Sequence, residues 1–302
     1  MTARFRVGVV HYASFPKCRD DEATFWASLE TLLADSALGA IELYTFLSPS
    51  WLERIRSSFA GQNQALLLSA GPRLLDEEGI CSVDRTARRS AIELSKSLID
   101  MAKEVSAASL MLISGKDPGP GRRTSAWAVL EESLDELCDY AGQGVPLTLS
   151  LETFARSSPP YQLVGPTAEA AKFADRITRS HENFRLTIDL SHLAQLGEDP
   201  VTAVESLGAR VHHVHLSTCA IVPGQTPSGD FHLSFHAAGV SVTLHDASRA
   251  LAAAASSSQG DEVVVSVEVR PQAEEDASRV FERSRSDLLS TVQAALELMA
   301  VS

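Results

Sequence analysis

The 302-residue sequence is poor in cysteine and basic residues and contains no long apolar run. Its four cysteines, Cys18, Cys81, Cys138 and Cys219, are scattered, and no two have CxxC spacing. That excludes a disulfide framework and a zinc ribbon, and leaves buried or partly exposed thiols in a reducing compartment as the expectation. No apolar stretch reaches the ~18 residues of a membrane span. Met1–Phe5 leads straight into a strand-like segment with no h-region or cleavage site, so no signal peptide is visible, and a cytoplasmic location is the default expectation. Lys and Arg total 26 against 39 Asp and Glu, a formal net charge of −13. So acidic a surface repels phosphate backbones and disfavours general nucleic-acid binding, although a local basic pocket is compatible with it.

What the sequence does contain is a β/α rhythm. Short apolar runs at Phe5–His11, Ala40–Phe46, Gln64–Ala70, Ser109–Ser114, Pro146–Glu152, Phe184–Leu190, Arg210–Leu216 and Glu262–Val269 read as strands. Amphipathic stretches at Glu22–Ser36, Ser50–Phe59, Arg85–Val105, Ser125–Ala141, Pro166–Arg179, Pro200–Leu207, Val242–Ala255 and Ser284–Met299 read as helices. Asp117–Arg123 and Ser157–Pro160 read as βα loops, and Ser256–Asp261 as a helix-to-strand turn. Eight such units with no residue block left over point to one α/β domain over 1–302, a closed (β/α)8 TIM barrel. An open doubly wound sheet is the alternative, but the first strand ends in His11-Tyr12-Ala13-Ser14 and not in a glycine-rich phosphate loop.

Alternate residues of a strand face opposite sides. In the fifth strand Leu147, Leu149 and Leu151 share the helix-facing parity, so Thr148, Ser150 and Glu152 face inward. In the sixth, Thr187 and Asp189 face inward, and His192 follows three residues later, able to turn back over the barrel mouth. His213 and His215 share a parity in the seventh strand, as do Ser266, Glu268 and Arg270 in the eighth. Glu152, Asp189, His215 and Glu268 thus converge at the carboxyl ends of neighbouring strands. Three bare carboxylates gathered there would be costly to bury. One divalent cation removes the conflict, and the oxygen/nitrogen donors suit Mn, Mg, Co or Zn. Each residue also has a plainer reading. A strand-end Glu serves as a salt-bridge partner, Asp189 as an N-cap, and His212 and His213 as structural groups. His11 could line the pocket, and His181, His236 and His245 read as surface or loop residues.

The ordered set LSLETF (Leu149–Phe154), TIDLSH (Thr187–His192), HVHLS (His213–Ser217), GDFH (Gly229–His232) and SVEVRP (Ser266–Pro271) resembles the xylose-isomerase-like barrel superfamily. That superfamily includes sugar and sugar-phosphate isomerases and epimerases, dehydratases and an apurinic-endonuclease branch. The resemblance implies that Glu152, Asp189, His215 and Glu268 hold a metal ion. It implies that Glu152 and Glu268 are the catalytic acids that move a proton beside a carbonyl through a metal-stabilised enediolate. It makes His192, Asp230, His232 and Arg270 substrate contacts, with a second ion an option at His192, Asp230 and His232. An isomerase or epimerase of sugar metabolism is the leading expectation. A lyase or dehydratase on the same barrel is the alternative, and a phosphodiesterase of abasic DNA ranks below both. A small-molecule substrate is expected, with no nucleic-acid or membrane partner; a homodimer is left open.

Departures from the family pattern narrow this further. The endonuclease branch carries histidines on its third and fourth strands, where this chain has Leu68-Ser69-Ala70-Gly71 and Ile113-Ser114-Gly115-Lys116. A trinuclear zinc site is therefore not expected. After His215, Thr218–Gly224 and Gly229–Gly239 lack the arginine and glutamate found in many epimerases, which argues against a standard sugar-phosphate ligand. Lys116, Arg122, Arg123 and Arg270 are left as cations that could neutralise an anionic substrate.

Overall fold

The computed structural model describes residues 5–75, 79–221, 229–258 and 262–301. Its strands are β1 Phe5–Val10, β2 Ala40–Tyr44, β3 Ala65–Ser69, β4 Ser109–Leu112, β5 Thr148–Thr153, β6 Phe184–Asp189, β7 Val211–Leu216 and β8 Val263–Val267. They form one closed parallel barrel in sequence order, which is the (β/α)8 architecture expected from the alternation. The helices are α1 His11–Ser14, α2 Glu22–Leu33, α3 Leu52–Phe59, α4 Gly71–Leu74, α5 Arg85–Glu104, α6 Arg123–Gly142, α7 Thr167–Ile177, α8 Leu190–Leu196, α9 Pro200–Leu207, α10 Leu244–Ser257 and α11 Ala277–Val301. None of them is long and apolar enough to cross a membrane.

Helix starts follow from local chemistry. The side chains of Asp21, Asp84, Asp189 and Asp199 accept from backbone N–H groups at the starts of α2, α5, α8 and α9. Thr243 and Asp246 form a reciprocal capping box on α10. Such caps contribute about 1 kcal/mol each. The expectations differ from the structure mainly at ends. β1 stops at Val10 because His11 opens a helical turn. α11 begins seven residues before the expected Ser284, where Asp276 Oδ1 accepts from Arg279 N. Of the expected turn at Ser256–Asp261, α10 takes up Ser256 and Ser257, and 259–261 lie outside the described residues.

The chain divides into two compact units, Met1–Glu42 with Ile188–Ser302, and Leu43–Thr187. In the first, β1 pairs with both β2 and β8, β7 pairs with β8, and α10 packs on α9 and α11. Gly8 stands in register with Ala40 and Ser266. A Cβ there would come within 2.6 Å of Ser266 Oγ, so the absence of a side chain is what lets these strands close. In the second unit β3, β4 and β5 form a parallel ladder, and α5 packs on α6. Thr187 Oγ1 donates to Ser150 Oγ at 2.9 Å, which fixes the inward parity of both residues, while Leu147, Leu149 and Leu151 are buried on the other face. All four cysteines are buried thiols outside any disulfide, and burial pushes each up to about 12.

Candidate metal centre

Asp189 is the last residue of β6 and the N-cap of α8. Its N-cap reading holds through one oxygen, and the other oxygen is left facing the candidate site. Oδ1 accepts from Ser191 N at 2.6 Å, His192 N at 3.2 Å and Ser217 Oγ at 2.5 Å. Oδ2 is buried and has no hydrogen-bond partner. It lies 3.6 Å from His232 Nδ1, which is likewise buried without a hydrogen-bond partner, and 4.0 Å from His215 Nδ1. An orphaned carboxylate oxygen of this kind costs several kcal/mol unless something charged faces it.

His215 is in β7, and Glu268 follows the last residue of β8. His215 Nδ1 lies 2.9 Å from Glu268 Oε2. Asp189, His215 and Glu268 each offer one ligand atom, all within 4.8 Å of one another. Two carboxylates at that distance repel by roughly 3 kcal/mol at an effective dielectric of ~20. Burial opposes ionisation of Glu268, but His232 and His215 beside it outweigh that and hold its carboxyl below the usual range. The donor set of two carboxylate oxygens and an imidazole nitrogen fits a divalent cation with borderline or hard preferences.

A second cluster adjoins the first. Asp189, His192 and His232 also form a group able to hold an ion. His192 and His232 direct Nε2 at Asp230 Oδ1, at 3.1 and 3.3 Å. Ser191 Oγ and Gln195 Nε2 reach the same oxygen at 3.4 Å. Burial again opposes the charge on Asp230, and His232 and His192 hold its carboxyl well below the ordinary range. His232 has a left-handed backbone, φ +46°, a conformation a non-glycine residue adopts at a cost. Its carbonyl accepts from Arg270 N at 2.8 Å, which ties this segment to the end of β8. The Arg270 side chain is half-exposed, with Nη2 3.9 Å from Glu268 Oε1.

The family model described as "Xylose isomerase-like TIM barrel" matches residues 31–278. The chain belongs to that family. No curated protein matches it. Among solved structures, one titled "Structure of L-ribulose 3-epimerase" is similar at TM-score 0.76 and 16% identity, covering 98% of this chain and 97% of that one. The IOLI protein "with a binding zinc atom" is similar at TM-score 0.71 and 15% identity, over 95% and 98% of the two chains. A xylose isomerase-like TIM barrel protein from Mycobacterium smegmatis, in complex with magnesium, is similar at TM-score 0.60 and 15% identity, over 97% and 98%.

Against the family pattern, the Met1–Glu42/Ile188–Ser302 unit brings Asp189, His192, His215, Asp230, His232 and Glu268 together, with Arg270 at their edge. Glu152 is buried one residue before the end of β5, in the other unit. His192 lies in α8, because Asp189 caps a helix there. His11 does not line the site. It is fully buried, with Nε2 2.7 Å from Ser28 Oγ and its ring against Phe15 and Phe25, and burial pushes it down to about 3. His181 lies in the loop between α7 and β6, as expected, but is buried against Asp135, whereas His236 is half-exposed beside Asp287 and His245 is exposed. Arg123 is committed to Asp117. Among the described residues, no group able to hold an ion draws on β3 or β4, in keeping with the missing endonuclease histidines. Part of the Thr218–Gly224 stretch, 222–224, lies outside the described residues.

One residue of the centre escaped the sequence reading altogether. Glu42, in the middle of β2, is fully buried with Oε2 3.2 Å from His215 Nε2 and 3.5 Å from His213 Nδ1. The signal was present: a glutamate inside the apolar run Ala40–Phe46 has no reason to be there unless it faces something polar.

Proposed function

We propose that this chain is a divalent-metal-dependent isomerase or epimerase of a sugar-like hydroxy-carbonyl compound. The observation that carries the reading is Asp189 Oδ2, buried and without a hydrogen-bond partner, facing His232 Nδ1 and His215 Nδ1 and within 4.8 Å of a Glu268 oxygen. Asp189, His215 and Glu268 would hold one ion, Mn, Mg, Co or Zn, with Glu152 as the proposed fourth ligand. The ion would supply positive charge to oxygens on which negative charge develops when a proton leaves the neighbouring carbon. The L-ribulose 3-epimerase among the structural neighbours, and the zinc and magnesium in two others, support the same reading.

The residues divide the work as follows. Glu268 and Glu152 are proposed to remove and return the proton on opposite faces of the substrate. Glu268 suits the role because its carboxyl is held ionised beside His215 and His232. Asp230 orients His192 and His232 toward the substrate, or toward a second ion. The half-exposed Arg270 guanidinium would meet an anionic or hydroxyl-rich end of the ligand.

The test combines elemental analysis with solvent exchange. Chain purified without chelator should carry about one divalent ion. Loaded with Mn²⁺, it should wash deuterium from D2O into the carbon beside the carbonyl of at least one ketopentose or ketohexose. Product of unchanged mass identifies isomerisation, and loss of water identifies the lyase alternative. No stoichiometric ion with any of the four metals, together with no exchange, would overturn the proposal.

A further inference from the structure

Glu42 is a buried carboxylate faced, among the described residues, by Tyr12, His213 and His215, and the proposed mechanism gives it no task. Its surroundings define one. Tyr12 OH donates to Oε1 at 3.4 Å. His215 Nε2 and His213 Nδ1 both face Oε2, at 3.2 and 3.5 Å. The two imidazoles meet edge to face, with ring centroids 4.6 Å apart. Of these contacts His215 Nε2 to Oε2 has hydrogen-bond geometry, with the carboxylate oxygen as acceptor.

The neighbouring ring is held as well, with His213 Nε2 2.7 Å from Ser266 Oγ. With Nε2 turned to Glu42, Nδ1 is the nitrogen of His215 that points toward Glu268 Oε2 and Asp189 Oδ2, where the proposed ion would sit. Glu42, His213 and His215 can also be read as an ion site of their own. Three groups already turned on the Glu42 carboxylate make that reading unnecessary.

We propose that Glu42 is a positioning residue for the metal centre. It fixes the tautomer and tilt of His215, so that Nδ1, and not Nε2, is offered to the ion. Carboxylates behind ligating histidines typically contribute 10–100-fold in metal affinity. The inference rests on the reading of His215 as a ligand, and its test separates the two.

Zn²⁺ alone serves as the probe. In Zn²⁺-loaded protein with ¹⁵N-labelled histidine rings, His215 should show a metal-shifted Nδ1 and a protonated Nε2. By calorimetric titration, Glu42→Gln should bind Zn²⁺ 10–100-fold more weakly than the unsubstituted chain, because the amide can present an N–H to Nε2 and favour the wrong tautomer. Zn²⁺ on Nε2, or an unchanged affinity in Glu42→Gln, overturns the inference while leaving the metal centre standing. Failure of the unsubstituted chain to bind Zn²⁺ overturns the inference, and failure with all four metals overturns the metal centre as well. The ring spectrum is read on the unsubstituted chain, so it decides even where Glu42→Gln folds poorly.

Discussion

The carboxylate of Asp189 serves two tasks with two oxygens, and substitutions can separate them. Asp189→Asn keeps an acceptor for Ser191 N and His192 N but removes the charge. Its expected outcome is a loss of metal affinity of 100-fold or more with a stability change of about 1 kcal/mol or less. Asp189→Ala should lose the affinity and a further ~1 kcal/mol of cap energy. Metal titration and denaturant unfolding of both variants check this, and equal stabilities would count against the capping assignment. His11 provides a pH effect away from the candidate metal centre. Its folded value of about 3 lies below the ordinary 6.5, so between those values the unfolded chain binds the extra proton. The stability it contributes is complete above pH 6.5 and is lost as pH falls toward 3, at about 1.4 kcal/mol per unit. His213 acts with the same sign. Unfolding midpoints at pH 7 and pH 5 should therefore differ, and His11→Gln should shrink the difference. Residues of this scale were unevenly legible in the sequence. Parity and a strand-end position are local, so the ligand candidates could be named. His11 and Glu42 could not be assigned, because what a buried polar group faces depends on strands far away in the chain.

At the scale of elements, periodicity located every strand to within two residues at either end, since buried parallel strands are short, continuous apolar runs bounded by polar turns. The four-residue α1 and α4 and the seven-residue α8 were not legible, because such segments are too short to display a 3.6-residue period. Two glycines show how tightly the elements approach. Gly8→Ala would press on Ser266 Oγ, the partner of His213, and should cost about 1–3 kcal/mol by overpacking. Gly79 has φ +84°, and a Cβ there would fall 2.2 Å from Gly115 Cα, backbone that cannot swing aside. Gly79→Ala is therefore expected to destabilise more than Gly8→Ala in denaturant unfolding, and the reverse order would refute this account.

For the whole molecule, a net charge of −13 and a cluster of buried acids lead to the expectation that the proposed ion stabilises the fold. An ion at 100 times its dissociation constant should add about 2.7 kcal/mol. For a chain of this length that is a rise in Tm of several degrees. It should be reversed by chelator and absent in Asp189→Asn; calorimetry with and without Mn²⁺ measures it. The connection from β7 to α10 has a further consequence for how this barrel can change. Ala220 bridges to Gly229 and Val240, Leu233 N donates to Thr218 O, Arg270 N donates to His232 O, and His236 is anchored on Asp287 of α11. A crossover stitched down at so many points cannot be swapped as an interchangeable cassette. Grafting a relative's loop here would carry Asp230 and His232 away with it, and with them contacts of the second candidate ion cluster.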